Sequence, residues 1–524
     1  MLEDAEMLDD EEIRRLALGC FLPGFVGRMP PRWLLDGLAA GVGGVILFGS
    51  NLGDGTGGRA LTDRLRSAAG RPLVFGLDEE GGDVTRLDTV RGSAVPGAAA
   101  LGWLDDVAAT EQVYASIGRR LAEAGITLNL APVADVNSDP RNPVIGVRSF
   151  SDRAEVAARQ VAAAVRGIQR AGVAACAKHF PGHGATVADS HHQVAVVDRS
   201  PGELAAVELL PFRAAIAAGA RAVMTGHLRV PALDTELATV SRPITTGLLR
   251  ETLGFDGVIV TDALEMKAVS GTIGMVDGFV RALLAGADAV ETGALDYPEL
   301  MSKIPAAVLA AVHDGRLSVR RLQDAARRTA SLADAACRTA PLGDGARQTA
   351  SLADAAVAAV PEAGLVPDGA IIPTAEAAEL AAIAVRCIEV RGPLPRLHRP
   401  LLLECRTENG MATGALPWSV ADRVRDRAPD TEVLIVEGAT NFVGLLTDSA
   451  SRSLVCVIRD PGRNPWQESV LAAAVRHAAR GESVVLVDVG WPAELPEPAA
   501  SLPIIRTRGI APGLLAAAAA ILVP

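Results

Sequence analysis

Aromatic side chains are scarce in this chain: its 524 residues include 10 Phe, 5 Trp and 2 Tyr. Clefts that grip long sugar polymers are commonly paved with flat aromatic side chains, so a polymer-gripping surface is disfavoured. Cysteines are few and scattered. Cys20, Cys176, Cys337, Cys387, Cys405 and Cys456 lie far apart and form no CxxC pair. That excludes a disulfide framework and a zinc ribbon, and it fits a reducing compartment. Basic residues are in deficit, 50 Lys plus Arg against 62 Asp plus Glu, for a formal charge of −12. Nucleic acid and anionic membrane both select basic surfaces, so neither is expected as a partner. Long apolar runs are missing as well. The longest, Leu514–Val523, is rich in alanine and has half of the roughly 20 residues that a bilayer span needs. The opening segment, MLEDAEMLDDEEIRR, is acidic where an export signal is basic. The expectation is a soluble, cytoplasmic protein.

What is present is apolar mass, 49% of the residues, enough for a large core. The length admits two or three domains, because one α/β barrel alone can absorb about 250 residues. From about residue 10 to 315, short β-branched runs alternate with longer helical patterns such as Ala154–Ala171 and Ser200–Ala217. The expected strands are Val45–Phe48, Leu73–Leu77, Ile126–Leu130, Val173–Lys178, Ala222–Thr225, Val258–Thr261 and Ala287–Glu291. Most read as continuous apolar runs, as strands buried on both faces do. The pattern predicts a (β/α)8 TIM-like barrel over residues 1–328, with a doubly wound sheet as the alternative. A second region, 373–524, holds a helical stretch at Ala375–Arg386 and four further strand-like runs, and predicts a smaller open α/β sandwich domain. Between them, residues 329–372 form an Ala-rich linker in which TASLADAA occurs twice around a related TAPLGDGA. Three ten-residue copies are too short for a solenoid and read as a spacer.

Several strand runs end in a polar residue where the loop begins: Asp78, Lys178 with His179, His227 and Asp262. Barrel enzymes keep their chemistry at those ends, whereas one such residue alone would be no more than a helix cap. The segment Lys178–His192, KHFPGHGATVADSHH, leads through a Gly/Pro-rich loop to Asp189 and His191, two residues apart. A carboxylate beside an imidazole fixes its tautomer, and such a histidine can give a proton and later take one back. His179, His183, Asp189, His191 and His192 fall within 14 residues and raise a metal site as the competing reading. They show no spacing of the HExxH kind, so the acid/base reading ranks first, with no metal and no cofactor expected. His183 and His192 have the plainer reading of solvated loop histidines. Asp262 closes the run VIVT. It reads either as a nucleophile for a carbon that develops positive charge or as the N-cap of a helix starting at Ala263, with Glu265 completing the cap. On this motif alone the two readings stand level. Asp78 in GLDEEGG, Arg86 in VTRL and Arg148 in NPVIGVRSF suit hydrogen bonding to hydroxyl or carbonyl oxygens, and each alone would be a surface ion-pair residue.

Taken in order, GVGGVILFGSN, LDEEGG, LAPVADVNSDPRNPVIGVRSF, KHFPGHG with DSH, VMTGH (Val223–His227) and LGFDGVIVTDALEM resemble glycoside hydrolase family 3, specifically the NagZ-type β-N-acetylglucosaminidases. The resemblance covers nearly the whole expected barrel. It implies Asp262 as nucleophile and the His191–Asp189 pair as general acid/base. It further implies Asp78, Arg86, Arg148, Lys178, His179, Met224 and His227 as residues that bind the sugar. The implied reaction is a metal-independent, retaining double displacement that removes a terminal β-linked N-acetylglucosamine, as from cell-wall fragments. The implied partner is a small carbohydrate with that sugar at its non-reducing end. Ala185 departs from the pattern, standing where relatives often carry Asp, and the TASLADAA linker lies outside it. RDPGRNPWQ (Arg459–Gln467) and VDVGWP (Val487–Pro492) resemble the accessory domain of two-domain, actinobacterial-type members, with no obvious catalytic acid. The alternatives are a phosphorylase of the same family acting on β-N-acetylglucosaminides or β-glucosides, a metal-dependent hydrolase, and a non-catalytic sugar-binding protein.

Overall fold

In the computed structural model the described residues are 8–53, 57–188, 194–333, 374–407, 416, 418–438, 452–492 and 494–524. The TASLADAA repeats lie outside them, apart from the first five residues of the first copy, as do Asp189, His191 and His192. The chain divides into two compact units. One comprises residues 1–79, 110–142 and 151–340; the other takes residues 80–109, 143–150 and 341–524.

The first unit is built on eight parallel strands: β1 (Phe21–Leu22), β2 (Gly44–Leu47), β3 (Val74–Leu77), β4 (Leu128–Asn129), β5 (Ala174–Phe180), β6 (Ala222–Thr225), β7 (Val258–Thr261) and β8 (Val290–Glu291). Strands β2 to β7 pair in chain order, and β1 pairs with β8. Parallel bridges Gly24↔Ile46 and Val260↔Ala289 join these two sheets on both sides. The sheet therefore closes on itself, which decides between the barrel and the doubly wound sheet. Side chains alternate across a strand, so one set points into the barrel. That set is Leu22, Ile46, Val74, Leu128, Leu130, Ala174, Cys176, Ala222, Met224, Val258, Val260 and Ala289, a dry apolar plug. Each Leu, Ile or Val buried there contributes about 1.5–3 kcal/mol.

Helices cover the outside. In α1 (Ala154–Arg170) the residues Val156, Val161, Ala164, Val165 and Ile168 are buried at helical spacing, with Glu155 in the first turn and Arg170 in the last, as the helix dipole favours. The expected helix over Ser200–Ala217 is in fact two, Pro201–Ala206 and α2 (Leu209–Ala217). Pro211 accounts for the break, since its ring would clash with the carbonyl of Val207 in a continuous helix. α1 and α2 pack together against β5.

The second unit contains an open sheet of six strands: β9 (Glu389–Arg391), β10 (Leu401–Arg406), β11 (Glu432–Glu437), β12 (Leu454–Ile458), β13 (Val484–Asp488) and β14 (Ile504–Arg506). Their order is β9-β14-β13-β12-β10-β11, parallel except for β9. Leu403, Cys405, Cys456, Ile458 and Leu486 form a core on one face with α3 (Glu468–Ala478). Leu402, Val455, Val457, Val485 and Val487 form another on the opposite face with α4 (Pro512–Leu522). The alanine-rich run near the end of the chain is thus a buried core helix. Asp460 of RDPGRNPWQ accepts a hydrogen bond from the Trp491 backbone of VDVGWP at 2.8 Å, tying the two motifs together at the ends of β12 and β13. Among the described residues, no helix is long and apolar enough to cross a membrane.

Candidate active site

Two further steps along the inward-facing row lead past the plug to charged residues. From Val74 the row runs through Gly76 to Asp78, from Cys176 to Lys178, from Val260 to Asp262 and from Ala289 to Glu291. All four stand at the C-terminal ends of barrel strands, which is where this fold exposes functional groups. Lys178 is almost fully buried, and its Nζ lies 2.6 Å from Oδ1 of Asp78. Burying an ammonium is strongly unfavourable unless it is paired, so Asp78 and Lys178 hold each other in place.

The backbone of Asp262 hydrogen-bonds the Thr225 carbonyl at 3.0 Å, and its Oδ1 accepts from the Ala263 backbone at 2.8 Å. The helix expected at Ala263 begins only at Lys267, with Met266 at its cap position. Asp262 is therefore no N-cap of that helix and stays partly exposed at the strand end. Glu265 does not complete a cap either: its Oε2 accepts from the Gly293 backbone at 2.9 Å.

The histidine-rich loop is organised by Asp135, which the sequence reading passed over. Its Oδ2 receives Nδ1–H of His179 at 2.7 Å, and its Oδ1 receives the backbone N–H groups of His179 and His183 at 3.2 and 2.7 Å. The carboxylate fixes the His179 tautomer and folds the loop around itself. Asn142 donates to the His183 carbonyl at 2.8 Å, and Thr186 Oγ1 lies 2.8 Å from His183 Nδ1. His183 is buried here and is not a solvated loop histidine. The flanking glycines serve different ends. Gly182 has a φ of +125°, and a Cβ on Gly184 would lie 1.7 Å from the Val136 carbonyl oxygen.

His227 is consumed by protein partners. Its Nε2–H donates to the Ala263 carbonyl at 2.9 Å, and its Nδ1 faces the Thr239 hydroxyl at 2.8 Å. It anchors the loop that follows Asp262. Met224 lies in the apolar plug. Glu291, also passed over by the sequence reading, is buried, and its Oε2 has no hydrogen-bond partner among the described residues. Burial pushes its carboxyl well above the usual carboxylate range. The negative charges of Asp78, Asp262 and Glu265 push the same way, and Lys178 pulls against them.

The family model of the glycosyl hydrolase family 3 N-terminal domain matches residues 34–332, more than half of the chain. The chain belongs to glycosyl hydrolase family 3. Among relatives of this family 3 protein, a protein named beta-hexosaminidase A from Pseudoalteromonas piscicida is 39% identical over 269 residues, 47% of this chain and 45% of that protein. The chain thus matches less than half of that relative's length. A beta-hexosaminidase from Xylella fastidiosa (strain M23) is 38% identical over 282 residues, 53% of this chain and 82% of its own. Among solved structures, a glycoside hydrolase family 3 beta-N-acetylglucosaminidase from Paenibacillus sp. str. FPU-7 is similar at a TM-score of 0.83 and 31% identity. That similarity covers 97% of this chain and 96% of the Paenibacillus one.

Four expected site residues of this family 3 chain remain. Arg86 and Arg148 belong to the second compact unit. There Arg148 forms a two-pronged pair with Glu80, Nε to Oε2 at 2.9 Å and Nη2 to Oε1 at 2.7 Å, with both side chains buried. A guanidinium fork matched to a carboxylate in this way is fixed in direction. In the same unit Asp83 receives Arg459 Nη2 at 2.6 Å and the Ile510 backbone at 2.9 Å. Asp189 and His191 lie outside the described residues.

Proposed function

We propose that this chain is a retaining, exo-acting β-N-acetylhexosaminidase that removes terminal β-linked N-acetylglucosamine. The observation that carries the reading is the position of Asp262. Its carboxylate ends a strand of a closed barrel, is not spent on a helix, and shares the barrel mouth with the buried Lys178–Asp78 pair. In this reading Asp262 attacks the anomeric carbon. A C–O bond to the carboxylate forms as the glycosidic C–O bond breaks, and His191 gives its proton to the departing oxygen. Water then displaces Asp262 while His191, oriented by Asp189, takes a proton from it. Two carboxyl groups about 5 Å apart are the usual retaining pair; here an imidazole–carboxylate dyad replaces one of them.

Asp78 and Lys178 are proposed to hold the sugar hydroxyls, and His179 to present its ring in the orientation Asp135 imposes. His227, with both ring nitrogens engaged, is proposed to support the loop after Asp262. The names borne by the relatives support a β-N-acetylhexosaminide substrate. Small cell-wall fragments in a reducing cytoplasm are the proposed setting, supported by five buried thiols that form no disulfide, Cys405 and Cys456 on neighbouring strands among them. The test is trapping with a 2-fluoro or 5-fluoro glycosyl reagent followed by peptide mapping. Asp262 is expected to carry the label, and Asp262→Ala is expected to lose turnover of an aryl N-acetyl-β-glucosaminide while staying folded. A label on another residue, or full activity in the variant, overturns the assignment.

A further inference from the structure

Four acidic side chains and one cation converge on the barrel mouth, and Glu291 among the acids has no task in the reaction just described. Glu291 and Asp262 are neighbours by register. Each follows the bridged pair Val260↔Ala289 by two residues, on adjacent parallel strands. Such strands lie about 4.8 Å apart, and matching residues point to the same face. The backbone of Glu291 brackets Asp262 as well. Its N–H donates to the Thr261 hydroxyl oxygen at 3.3 Å, and its carbonyl accepts from the Leu264 backbone N–H at 3.2 Å, so it binds the chain just before and just after Asp262. On its other flank Leu22 of β1 stands opposite, bringing no charge. The groups around it are Asp262 and Glu265 from β7 and the loop after it, Asp78 from β3, and Lys178 and the Cys176 thiol from β5.

We propose that Glu291 is a positioning residue for the nucleophile: a neutral carboxylic acid beside Asp262 that leaves Asp262 ionised, and whose own ionisation suppresses glycosylation on the alkaline side. The inference rests on reading Asp262 as the nucleophile. Lys178 is already matched to Asp78, so a second full charge at 291 would face the Asp262 carboxylate with no cation of its own. Two like charges so close do not both ionise in a dry site, and the more deeply buried group keeps the proton. Esterification of Asp262 removes its charge, so ionisation of Glu291 becomes easier in the glycosyl-enzyme than in the free enzyme.

The test is the pH profile of kcat/KM on an aryl N-acetyl-β-glucosaminide with an activated phenol, which needs little help from the acid His191. The quantity read is the ratio of kcat/KM at about pH 9 to that at about pH 6.5, expected to rise at least roughly fivefold in Glu291→Gln over the wild type. An unchanged ratio overturns the proposal, whatever the absolute rates. A second measurement needs no variant. The infrared carbonyl band of a protonated buried carboxyl is followed against pH in the wild-type enzyme before and after fluoroglycoside trapping. Its midpoint is expected to move to lower pH on trapping; a fixed midpoint overturns the proposal. Label on Asp262 with neither shift sinks the role of Glu291 alone, whereas label on another residue sinks the nucleophile reading itself.

Discussion

The ammonium of Lys178 and the carboxylate of Asp78 meet at 2.6 Å across the barrel mouth, from strands that do not adjoin. Lys178 is 2% exposed and Asp78 19%, so the ion that would suffer most from losing its partner is the lysine. The pair also sets the charge balance beside Asp262, since Lys178 is matched at close range to Asp78 while Asp262, Glu265 and Glu291 add further carboxyl groups.

Removing the cation alone therefore has a specific consequence. Lys178→Met keeps the length of the side chain but leaves Asp78 as an added negative charge near Asp262. Losing one partner of a buried pair costs about 3–5 kcal/mol. If half of that falls on the transition state, kcat/KM drops about 10- to 60-fold, at about 1.4 kcal/mol per tenfold. Steady-state kinetics on the aryl glycoside, with thermal unfolding alongside, check this. Asp78→Asn is expected to hurt less, because an amide oxygen still accepts from the ammonium.

Asp135 supports the histidine loop through three hydrogen bonds, two from backbone N–H groups and one from the His179 ring. Asp135→Ala orphans these buried donors, at about 1–3 kcal/mol each. The expected outcome is a clear fall in the unfolding midpoint and a loss of activity of at least about tenfold. Asp135→Asn, which retains one accepting oxygen, is expected to recover part of both. Equal damage from the two substitutions would show that the charge, and not the hydrogen bonding, holds the loop.

Much of this was legible in the sequence, and the parts that were not have physical reasons. Seven barrel strands announced themselves because strands buried on both faces are long apolar runs. β1 did not, because its apolar run is short and is cut off at once by Pro23 and Gly24. In the second unit β9 and β14, three residues each, escaped for the same reason. Asp262 was legible as a strand-end carboxylate, but only coordinates separate it from a helix cap. Glu291 was hidden by an ambiguity of face. The run ADAVE offers two acids, Asp288 and Glu291, and alternation alone does not say which points inward. Asp288 faces the helices, where Arg250 and Arg321 hold it, and Glu291 faces the barrel. Asp135 sits in APVADVNSDP, a loop with no periodicity to mark it.

A buried acid behind the same loop gives a prediction about pH and stability. Glu208 packs against Gly182, and both of its carboxylate oxygens lack a hydrogen-bond partner among the described residues. Burial pushes its carboxyl above the ordinary glutamate range, with Arg199 opposing. The folded protein then holds this proton at pH values where the unfolded chain has released it. Its contribution to stability is present below the unfolded pKa and is lost as pH rises through the folded one. Glu208→Gln, which cannot ionise, is expected to flatten that part of the unfolding midpoint's pH dependence and to raise stability relative to wild type at higher pH. Parallel curves for the two proteins between about pH 4 and 8 would contradict this.

The acid role proposed for His191 is separable from mere importance by the leaving group. A natural alkoxide departs only with a proton supplied as the bond breaks, whereas an activated phenolate departs without one. His191→Ala is therefore expected to lose about 10²- to 10⁴-fold in kcat/KM on a natural disaccharide, within the range of general acid catalysis. On an activated aryl glycoside the loss should be far smaller. Equal losses on both would remove the acid assignment. The second step distinguishes hydrolysis from phosphorolysis in the same experiment. If water is the acceptor, inorganic phosphate leaves the rate and the product unchanged and free N-acetylglucosamine accumulates. If phosphate is the acceptor, turnover rises with its concentration and the sugar 1-phosphate appears. In His191→Ala an added small anion such as azide, which needs no general base, should rescue the release of the glycosyl-enzyme. Its β-configured adduct would then report a second inversion at the anomeric carbon, as a covalent intermediate on Asp262 requires.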